Sequence, residues 1–174
     1  LALRTGLRIG EVCALRWQDI SLETHTISIS RTAQRIQCQD SGDESRTKVM
    51  VGAPKTESSC RLIPLMPDLE ALYARFVPKD SGSFVLTGTR QCMEPRKLQR
   101  RLKNYMVKCQ IPSVHFHTLR HTFATRCIEA GFDVKTLSEI LGHSNISITL
   151  NQYVHPSMER KRENMSRLKT VIHV

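Results

Sequence analysis

The feature that most constrains the fold is a series of short helical segments between residues 114 and 155, separated by glycines. Gly131 and Gly142 are the stops, and Asp133 is a favourable N-cap for the segment between them. Apolar residues recur at three- and four-residue spacing in each segment, which is typical of helices with one buried face. The predicted helices run from Thr118 to Ala130, from Val134 to Leu141, and onward from a cap at Ser144 or Asn145, with Ile146, Leu150 and Tyr153 as the inward stripe of the last.

The rest of the chain predicts further helices and a small sheet. One additional helix ends at Gly6. The others run from about Arg8 to Trp17, from Pro67 to Phe76, from Pro95 to Cys109 and from Pro156 to Leu168. Alternating polar and apolar residues predict strands at His25 to Arg31, Lys48 to Val51 and Arg61 to Leu65, with a flexible loop at Gln37 to Arg46. We therefore expect a mainly α fold with a small antiparallel β-sheet (α+β), in which Lys55 stands at the turn of a hairpin between the second and third strands.

Length and charge suggest one domain that binds a polyanion. The 174 residues suit a single domain over 1–174, with residues 156–174 as a C-terminal helix and tail. The chain opens without an initiator Met inside an apolar helical pattern, so we expect an N-terminal part to be missing. Residues 1–80 hold 11 basic and 10 acidic side chains, whereas residues 81–174 hold 15 and 6. The basic half favours nucleic acid, against the simpler interpretation of a solvated basic surface.

The cysteines and the hydropathy favour a cytoplasmic protein. The 6 cysteines are scattered singly, which is typical of reduced thiols. No apolar run approaches the roughly 20 residues that cross a bilayer, so no membrane contact is expected.

Two histidines, an arginine and a tyrosine of the helical stretch are suited to phosphate chemistry. His117 and Arg120 are three residues apart and share a helix face, while His143 and Tyr153 follow on the next segments. Zinc is disfavoured because no cysteine pair completes a tetrahedral set, and neither a glycine-rich phosphate loop nor a carboxylate cluster for magnesium is present. Taken alone, Tyr153 suits a half-buried core tyrosine, and His121 suits a structural histidine bonded under the helix.

Five strings of the sequence resemble the tyrosine recombinases, the phage and transposon integrase family. In chain order they are TGLRIGEVCALRWQDI, PKTESSCRLIPL, HTLRHTFAT, LGHSNISIT and YVH, within residues 5 to 155. The resemblance implies that Arg8 and Arg120 clamp phosphate, that Lys55 is the hairpin lysine, that His117 and His143 are the site histidines, and that Tyr153 is the nucleophile. Glu11 and Asp19 match positions that are structural in the family.

The resemblance also implies an activity and an assembly. The expected enzyme cleaves and rejoins double-stranded DNA through a 3′-phosphotyrosine, needs no cofactor or metal, and integrates or excises a mobile element in the bacterial cytoplasm, at the nucleoid. It would act as a homotetramer on two duplexes, with the segment after Pro156 packed on a neighbouring protomer, and would be a monomer alone. Excisionase or DNA-bending proteins are possible partners. We expect this chain to lack the family's N-terminal DNA-clamping domain and residues 37–46 to be a local elaboration of the sheet.

The expected chemistry gives each group a task. A tyrosine ester conserves the energy of the broken phosphodiester, and guanidiniums with a histidine stabilise the charge of the transition state. Lys55 is the expected general acid for the 5′ oxygen, and His117 is the candidate base for Tyr153, with proton-shuttling or supporting roles also open. Two alternatives remain: a DNA-binding relative that no longer cleaves, and a type IB topoisomerase-like relaxing enzyme.

Overall fold

The computed structural model describes residues 1–37, 47–76 and 80–153, together with residues 158, 161, 162, 165 and 166. Its helices are α1 (Ala2–Thr5), α2 (Ile9–Ala14), α3 (Pro67–Ala74), α4 (Pro95–Lys108), α5 (Phe116–Glu129), α6 (Val134–Leu141) and α7 (Ile146–Tyr153). Its strands are β1 (Ile20–Ser21), β2 (Thr26–Ile29), β3 (Thr32–Gln37), β4 (Thr47–Gly52) and β5 (Arg61–Pro64). The predicted fold class, mainly helical with small antiparallel sheets, is confirmed.

The strand pairing differs from the predicted one. β5 pairs with β2, with Ile63 opposite Ile27, in a sheet of order β1-β2-β5, while β4 pairs with β3 in a separate two-stranded sheet. Ile27 and Ile63 are both buried, so this register places two apolar side chains on the core face of the sheet. The expectation that Lys55 stands at the turn of a hairpin is therefore wrong, because its segment connects two separate sheets.

The strand β3 was missed because its sequence, TAQRIQ, has only a weak alternation of polar and apolar residues. It is placed by packing against α2, where Gly10 lies so close that a Cβ there would be 2.6 Å from the carbonyl oxygen of Ala33. Gln37 is the last residue of β3, and the remainder of the predicted loop lies outside the described residues.

The second helix is shorter than predicted. α2 ends at Ala14 because Leu15 is extended and its carbonyl oxygen accepts a hydrogen bond from the Val85 N–H. Arg16 then forms an antiparallel bridge with Phe84. Tertiary pairing thus ends a helix that the apolar spacing alone would extend to Trp17.

The core joins the sheet to the helices that carry the polar residues. One cluster includes Leu7, Val12, Ile27 and Ile63, and a second contains Ala124, Cys127, Leu137 and Leu141, between α5 and α6. Gly6 ends α1 with φ 65°, and a Cβ on it would lie 2.6 Å from the Phe123 ring. The first loop therefore sits directly against α5.

The caps of the last helices match the prediction, but the buried face of α7 does not. Asp133 accepts a hydrogen bond from the Thr136 N–H at 2.9 Å, and Asn145 accepts one from the Ser147 N–H at 2.8 Å. The predicted stripe is wrong for Ile146 and Leu150, which are each 40% exposed, whereas Thr149 is fully buried and Tyr153 packs against the second core cluster as predicted.

Of the helix predicted from Pro156 to Leu168, the structure describes residues 158, 161, 162, 165 and 166, which are helical, and the remainder lies outside the described residues. None of the helices in the described part of the chain is long and apolar enough to span a membrane.

Candidate active site

The C-terminal end of α6 is where two distant arginines meet. Gly142 ends α6 with a left-handed backbone, which leaves the last carbonyl groups free to accept side-chain donors. Arg8 donates to the Leu141 carbonyl oxygen at 3.1 Å and to the Gly142 carbonyl oxygen at 3.0 Å. Arg120 donates to the same Leu141 oxygen at 2.7 Å and to the Gly6 carbonyl oxygen at 2.8 Å. One helix terminus thus positions both guanidinium groups.

Arg120 is a buried cation without a carboxylate partner in the described part of the chain. It is 1% exposed, and its guanidinium donates hydrogen bonds to the backbone carbonyl oxygens of Gly6 and Leu141. Burial, followed by the Arg8 guanidinium, lowers the pKa of Arg120 to about 9, so it remains charged at neutral pH. Two guanidinium groups held close together on the same backbone carbonyl attract an anion between them.

Glu11 holds Arg8 from the other side. Its carboxylate accepts from the Arg8 N–H at 2.8 Å and from the Arg8 guanidinium at 3.0 Å, at the first turn of α2. Burial alone raises the pKa of Glu11, but Arg61 and Arg8 outweigh it and keep the pKa below its usual value. The predicted structural role of Glu11 agrees with this arrangement.

Arg61, at the start of β5, is a residue that sequence reasoning missed. Its guanidinium donates to both Glu11 oxygens, at 3.0 and 2.9 Å, and to the carbonyl oxygens of Ile140 and Ser59. A Cβ on Gly142 would lie 2.8 Å from Arg61 Nη1. Arg61 lies within the string PKTESSCRLIPL. In a strand of alternating polar and apolar residues, the sequence alone does not distinguish a buried arginine from an exposed one.

His143 follows Gly142 directly and faces the arginines. Its Nδ1 lies 2.8 Å from the Thr149 hydroxyl on α7. Burial, followed by Arg120 and Arg8, lowers the pKa of His143 to about 4. The ring is therefore neutral at pH 7 and has one N–H to offer as a hydrogen-bond donor.

Tyr153, at the end of α7, lies beside a histidine that the sequence indicated only as structural. The Tyr153 hydroxyl oxygen is 2.8 Å from His121 Nδ1. Burial raises the pKa of Tyr153, while Arg120 and then Arg8 act to lower it. His117 contacts His121 edge-on, with ring centroids 4.4 Å apart. Its pKa is lowered by desolvation and then by His121, Arg120 and Arg8.

The sequence feature that could have identified His121 as a site residue is its spacing. It lies four residues after His117 and directly after Arg120, so all three project from the same side of α5.

Lys55 is the one predicted site residue that the structure keeps apart. It is exposed between β4 and a short 3-10 turn at Glu57–Ser59. Within the described part of the chain, no hydrogen bond or ion pair joins Lys55 to Arg8, Arg120, His143 or Tyr153. Its loop nevertheless ends at Ser59, whose carbonyl oxygen accepts a hydrogen bond from Arg61 at 2.9 Å.

The cysteines and possible metal ligands do not add chemistry to this arrangement. Among the residues that the structure describes, no three His, Cys, Asp or Glu side chains form a group that could hold a metal ion. Burial raises the pKa of the Cys13 thiol to about 12 and that of the Cys127 thiol to about 11, which makes both unreactive near neutral pH.

The helix α4 presents a broad basic face. Its sequence, PRKLQRRLKNYMVK, has no acidic residue, and its cations are exposed. In the described ranges no ion pair involves these cations, which are Arg96, Lys97, Arg100, Arg101, Lys103 and Lys108. Such a face suits a phosphate backbone.

Comparison with known proteins agrees with this geometry. The sequence model described as "Phage integrase family" matches residues 1–160. The "Tyrosine recombinase XerC-like" protein of Caldanaerobacter subterraneus subsp. tengcongensis is 33% identical over 179 residues, covering 92% of this chain and 45% of its own. The transposase from transposon Tn916 of Enterococcus faecalis is 25% identical, covering 97% and 44%.

Two solved structures share the fold. The Tn1549 transposon integrase, in complex with transposon right end DNA, superposes with a TM-score of 0.74 at 28% identity, covering 97% of this chain and 56% of that one. XerA recombinase has a TM-score of 0.61 at 20% identity, covering 95% and 55%. The chain spans about half the length of the curated relatives that it matches. Since the family match extends over residues 1–160, the chain belongs to the phage integrase family.

Proposed function

We propose that this chain is the catalytic domain of a site-specific DNA recombinase that cleaves and rejoins DNA through a 3′-phosphotyrosine. The observation that carries the proposal is the meeting of Arg8 and Arg120 on the Leu141 carbonyl oxygen, with His143 beside them. Together they present several N–H donors to one anion, as the non-bridging oxygens of a phosphodiester require.

In the proposed reaction Tyr153 attacks the phosphorus atom. The bond from its oxygen to phosphorus forms as the bond from phosphorus to the 5′ oxygen breaks. Arg8, Arg120 and the neutral His143 stabilise the extra charge on the non-bridging oxygens, so these residues can carry the transition state without a metal. Rejoining reverses the step, since the phenol is an adequate leaving group.

Lys55 is the proposed general acid that protonates the departing 5′ oxygen. Its exposed position requires its loop to close over bound DNA, and Arg61 supplies a fixed anchor through the Ser59 carbonyl oxygen. The proximity of Arg8 and Arg120, together with desolvation by the DNA, would favour loss of its proton.

The proposed substrate is double-stranded DNA. The basic face of α4 supports it, because unpaired exposed cations gain free energy when they displace counterions from phosphates. The structures of the Tn1549 integrase in complex with DNA also support it, since that relative has the same fold. The enzyme would work in the bacterial cytoplasm on nucleoid DNA.

The proposed assembly is a homotetramer on two duplexes, formed from monomers when DNA binds. The segment after Pro156 would pack on a neighbouring protomer, and excisionase or bending proteins would select between integration and excision.

The decisive test is covalent trapping on a nicked suicide duplex that carries the ends of the mobile element encoding the chain. The wild-type protein should form a covalent DNA adduct, and Tyr153→Phe should form none while still shifting the duplex in a gel. Tyr105→Phe is a matched control, because Tyr105 is 64% exposed on α4.

The outcomes separate the proposal from its alternatives. An adduct in the Tyr153→Phe protein would contradict the assignment of the nucleophile. DNA binding without any wild-type adduct would favour the non-cleaving relative. Relaxation of supercoiled plasmid by the monomer, with no site preference, would favour a type IB topoisomerase-like enzyme. Rescue of a slow Lys55→Ala protein by a 5′-thio leaving group, which needs little protonation, would support the acid role.

A further inference from the structure

We propose that His121 is the proton acceptor for the Tyr153 hydroxyl, and that Gln152 orients its ring. The proposal rests on the proposed recombinase function and deepens it by assigning a base that the family resemblance leaves to His117. The distance of 2.8 Å between the Tyr153 oxygen and His121 Nδ1 is the observation that carries it.

The position of His121 suits a base. Its ring is half-buried on α5, directly after Arg120, and the Tyr153 ring packs against it with centroids 5.6 Å apart. Its other nitrogen, Nε2, lies 3.4 Å from the side-chain amide nitrogen of Gln152. Rotating that amide by 180° exchanges its nitrogen and oxygen, so that the oxygen can accept a hydrogen bond from the His121 Nε2–H. The heavy-atom positions of the amide do not distinguish the two orientations.

In that arrangement Nδ1 carries no proton and accepts one from the Tyr153 hydroxyl. Tyr153, His121 and Gln152 then form a hydrogen-bonded chain of nucleophile, base and orienting group, as in other enzymes with an activated nucleophile.

His117 is less suited to this task. It is largely exposed, and in the described part of the chain no hydrogen bond joins it to Tyr153. Its contact with His121 is an edge-on ring contact at 89°, in which neither ring stacks on the other. His117 is thereby left available for the DNA phosphate, beside Arg120 on the same face of α5.

The proton balance of the step is complete. As the Tyr153 oxygen bonds to phosphorus, its proton passes to His121 Nδ1, and the 5′ oxygen leaves with a proton from Lys55. In rejoining, the 5′ hydroxyl gives its proton to the neutral amine of Lys55 and attacks phosphorus, the phenolate of Tyr153 leaves, and His121 returns its proton to that phenolate. No oxidant, reductant or metal enters the step.

The groups that face His121 define what a pH profile can report. They are His117 and Arg120 on its own helix and Tyr153 on α7. Arg120 stays charged and the tyrosine stays protonated at neutral pH, so substitutions of the two histidines, made one at a time, show which of them the pH profile depends on.

The test measures the single-turnover rate of adduct formation against pH on a nicked duplex with a 5′-thio leaving group. This substrate removes the demand for a general acid, so the profile reports the base alone. The wild-type rate should rise with pH and level off. His121→Asn, whose amide can occupy the Nδ1 position without accepting a proton, should be slower by about 100-fold and lose the rise.

Two further variants separate the roles. His121→Phe keeps the ring contacts and should be at least as slow as His121→Asn, whereas His117→Asn should keep the rise with pH. A His121→Asn protein that is within a few-fold of wild type, with its rise intact, would overturn the proposal. Loss of the rise in His117→Asn alone would also overturn it and make His117 the base.

A measurement without DNA distinguishes this proposal from the proposed function. The nitrogen NMR signals of His121 should show an unprotonated Nδ1 that shifts when Tyr153→Phe removes the hydroxyl. If the wild-type protein never forms an adduct but this shift is seen, the recombinase function fails while the pairing stands. If the signal does not shift, the pairing of Tyr153 with His121 is wrong.

Discussion

Arg8 and Arg120 donate hydrogen bonds to the same acceptor, the carbonyl oxygen of Leu141, at 3.1 and 2.7 Å. One arginine comes from the N-cap of α2 and the other from the second turn of α5, so their convergence is a property of the fold and of neither segment alone. The shared acceptor keeps two like charges a few ångströms apart. An arriving phosphate relieves that repulsion, which makes the site ready for an anion before DNA binds.

The first prediction concerns the planar guanidinium group of Arg8. Arg8→Lys keeps the charge but removes the planar pair of donors, so single-turnover cleavage should fall by about 100-fold or more with DNA binding little changed. Arg126→Lys is the matched control, since that side chain is 78% exposed on the same helix as Arg120 and should cleave normally. Equal rates for Arg8→Lys and wild type would show that Arg8 acts only as a point charge.

The buried ion pair of Glu11 and Arg61 should dominate local stability. Their side chains are 3% and 6% exposed, so Glu11→Ala would leave a buried guanidinium uncompensated and should lower the free energy of unfolding by about 3–5 kcal/mol. Urea denaturation measures it. Glu129→Ala, which breaks the exposed pair with Arg126, should cost no more than about 0.5 kcal/mol. Similar losses for both variants would mean that the buried network contributes little beyond a surface pair.

Gly142 should tolerate alanine less well than Gly131. Both have positive φ, 65° and 86°, so alanine strains the backbone at either site by about 1–2 kcal/mol. Only at Gly142 does the added Cβ also meet Arg61 Nη1, at 2.8 Å, whereas nothing lies within 4 Å at Gly131. Gly142→Ala should therefore lower the thermal midpoint further and should also slow cleavage. A larger loss at Gly131 would contradict the close contact at Arg61.

His143 should make the fold sensitive to mild acid. Its pKa is about 4 in the folded protein and 6.5 as the ordinary value, so between these pH values the unfolded chain binds the proton and the folded chain does not. The free energy of unfolding should therefore fall as pH is lowered from 6.5 towards 4. His143→Asn, measured by urea denaturation at the same pH values, should lose this part of the slope. An unchanged slope would assign the acid sensitivity to other groups, such as the Glu11 carboxyl.

Several local features were predictable because neighbouring residues determine them. Gly6 and Gly142 adopt the left-handed backbone that ends a helix, and Asp133 and Asn145 accept the N–H groups that a helix start leaves unpaired. The spacing of His117 and Arg120 likewise placed both on one helix face. In each case the physical cause acts within about one helical turn, so the sequence contains it.

The errors have the opposite origin. β5 could pair with either β2 or β4 by its own alternation, and the burial of Ile27 opposite Ile63 selected β2. Apolar spacing favoured Leu150 as an inward residue of α7 beside Tyr153, but Leu150 is exposed and the fully buried residue is Thr149, which lies against His143. These choices depend on which surfaces meet, and no local pattern contains that information.

The sequence by itself determined the inventory of this protein: the helix boundaries near glycine and proline, the basic second half, and the residues Arg8, His117, Arg120, His143 and Tyr153. Only the tertiary structure decided how they are used. Burial placed Arg61 against Glu11 and His121 against Tyr153, and it left Lys55 outside on its loop. The physical reason is that hydrogen bonding and desolvation of a side chain depend on residues far away in the chain, whereas turns and caps depend on adjacent ones.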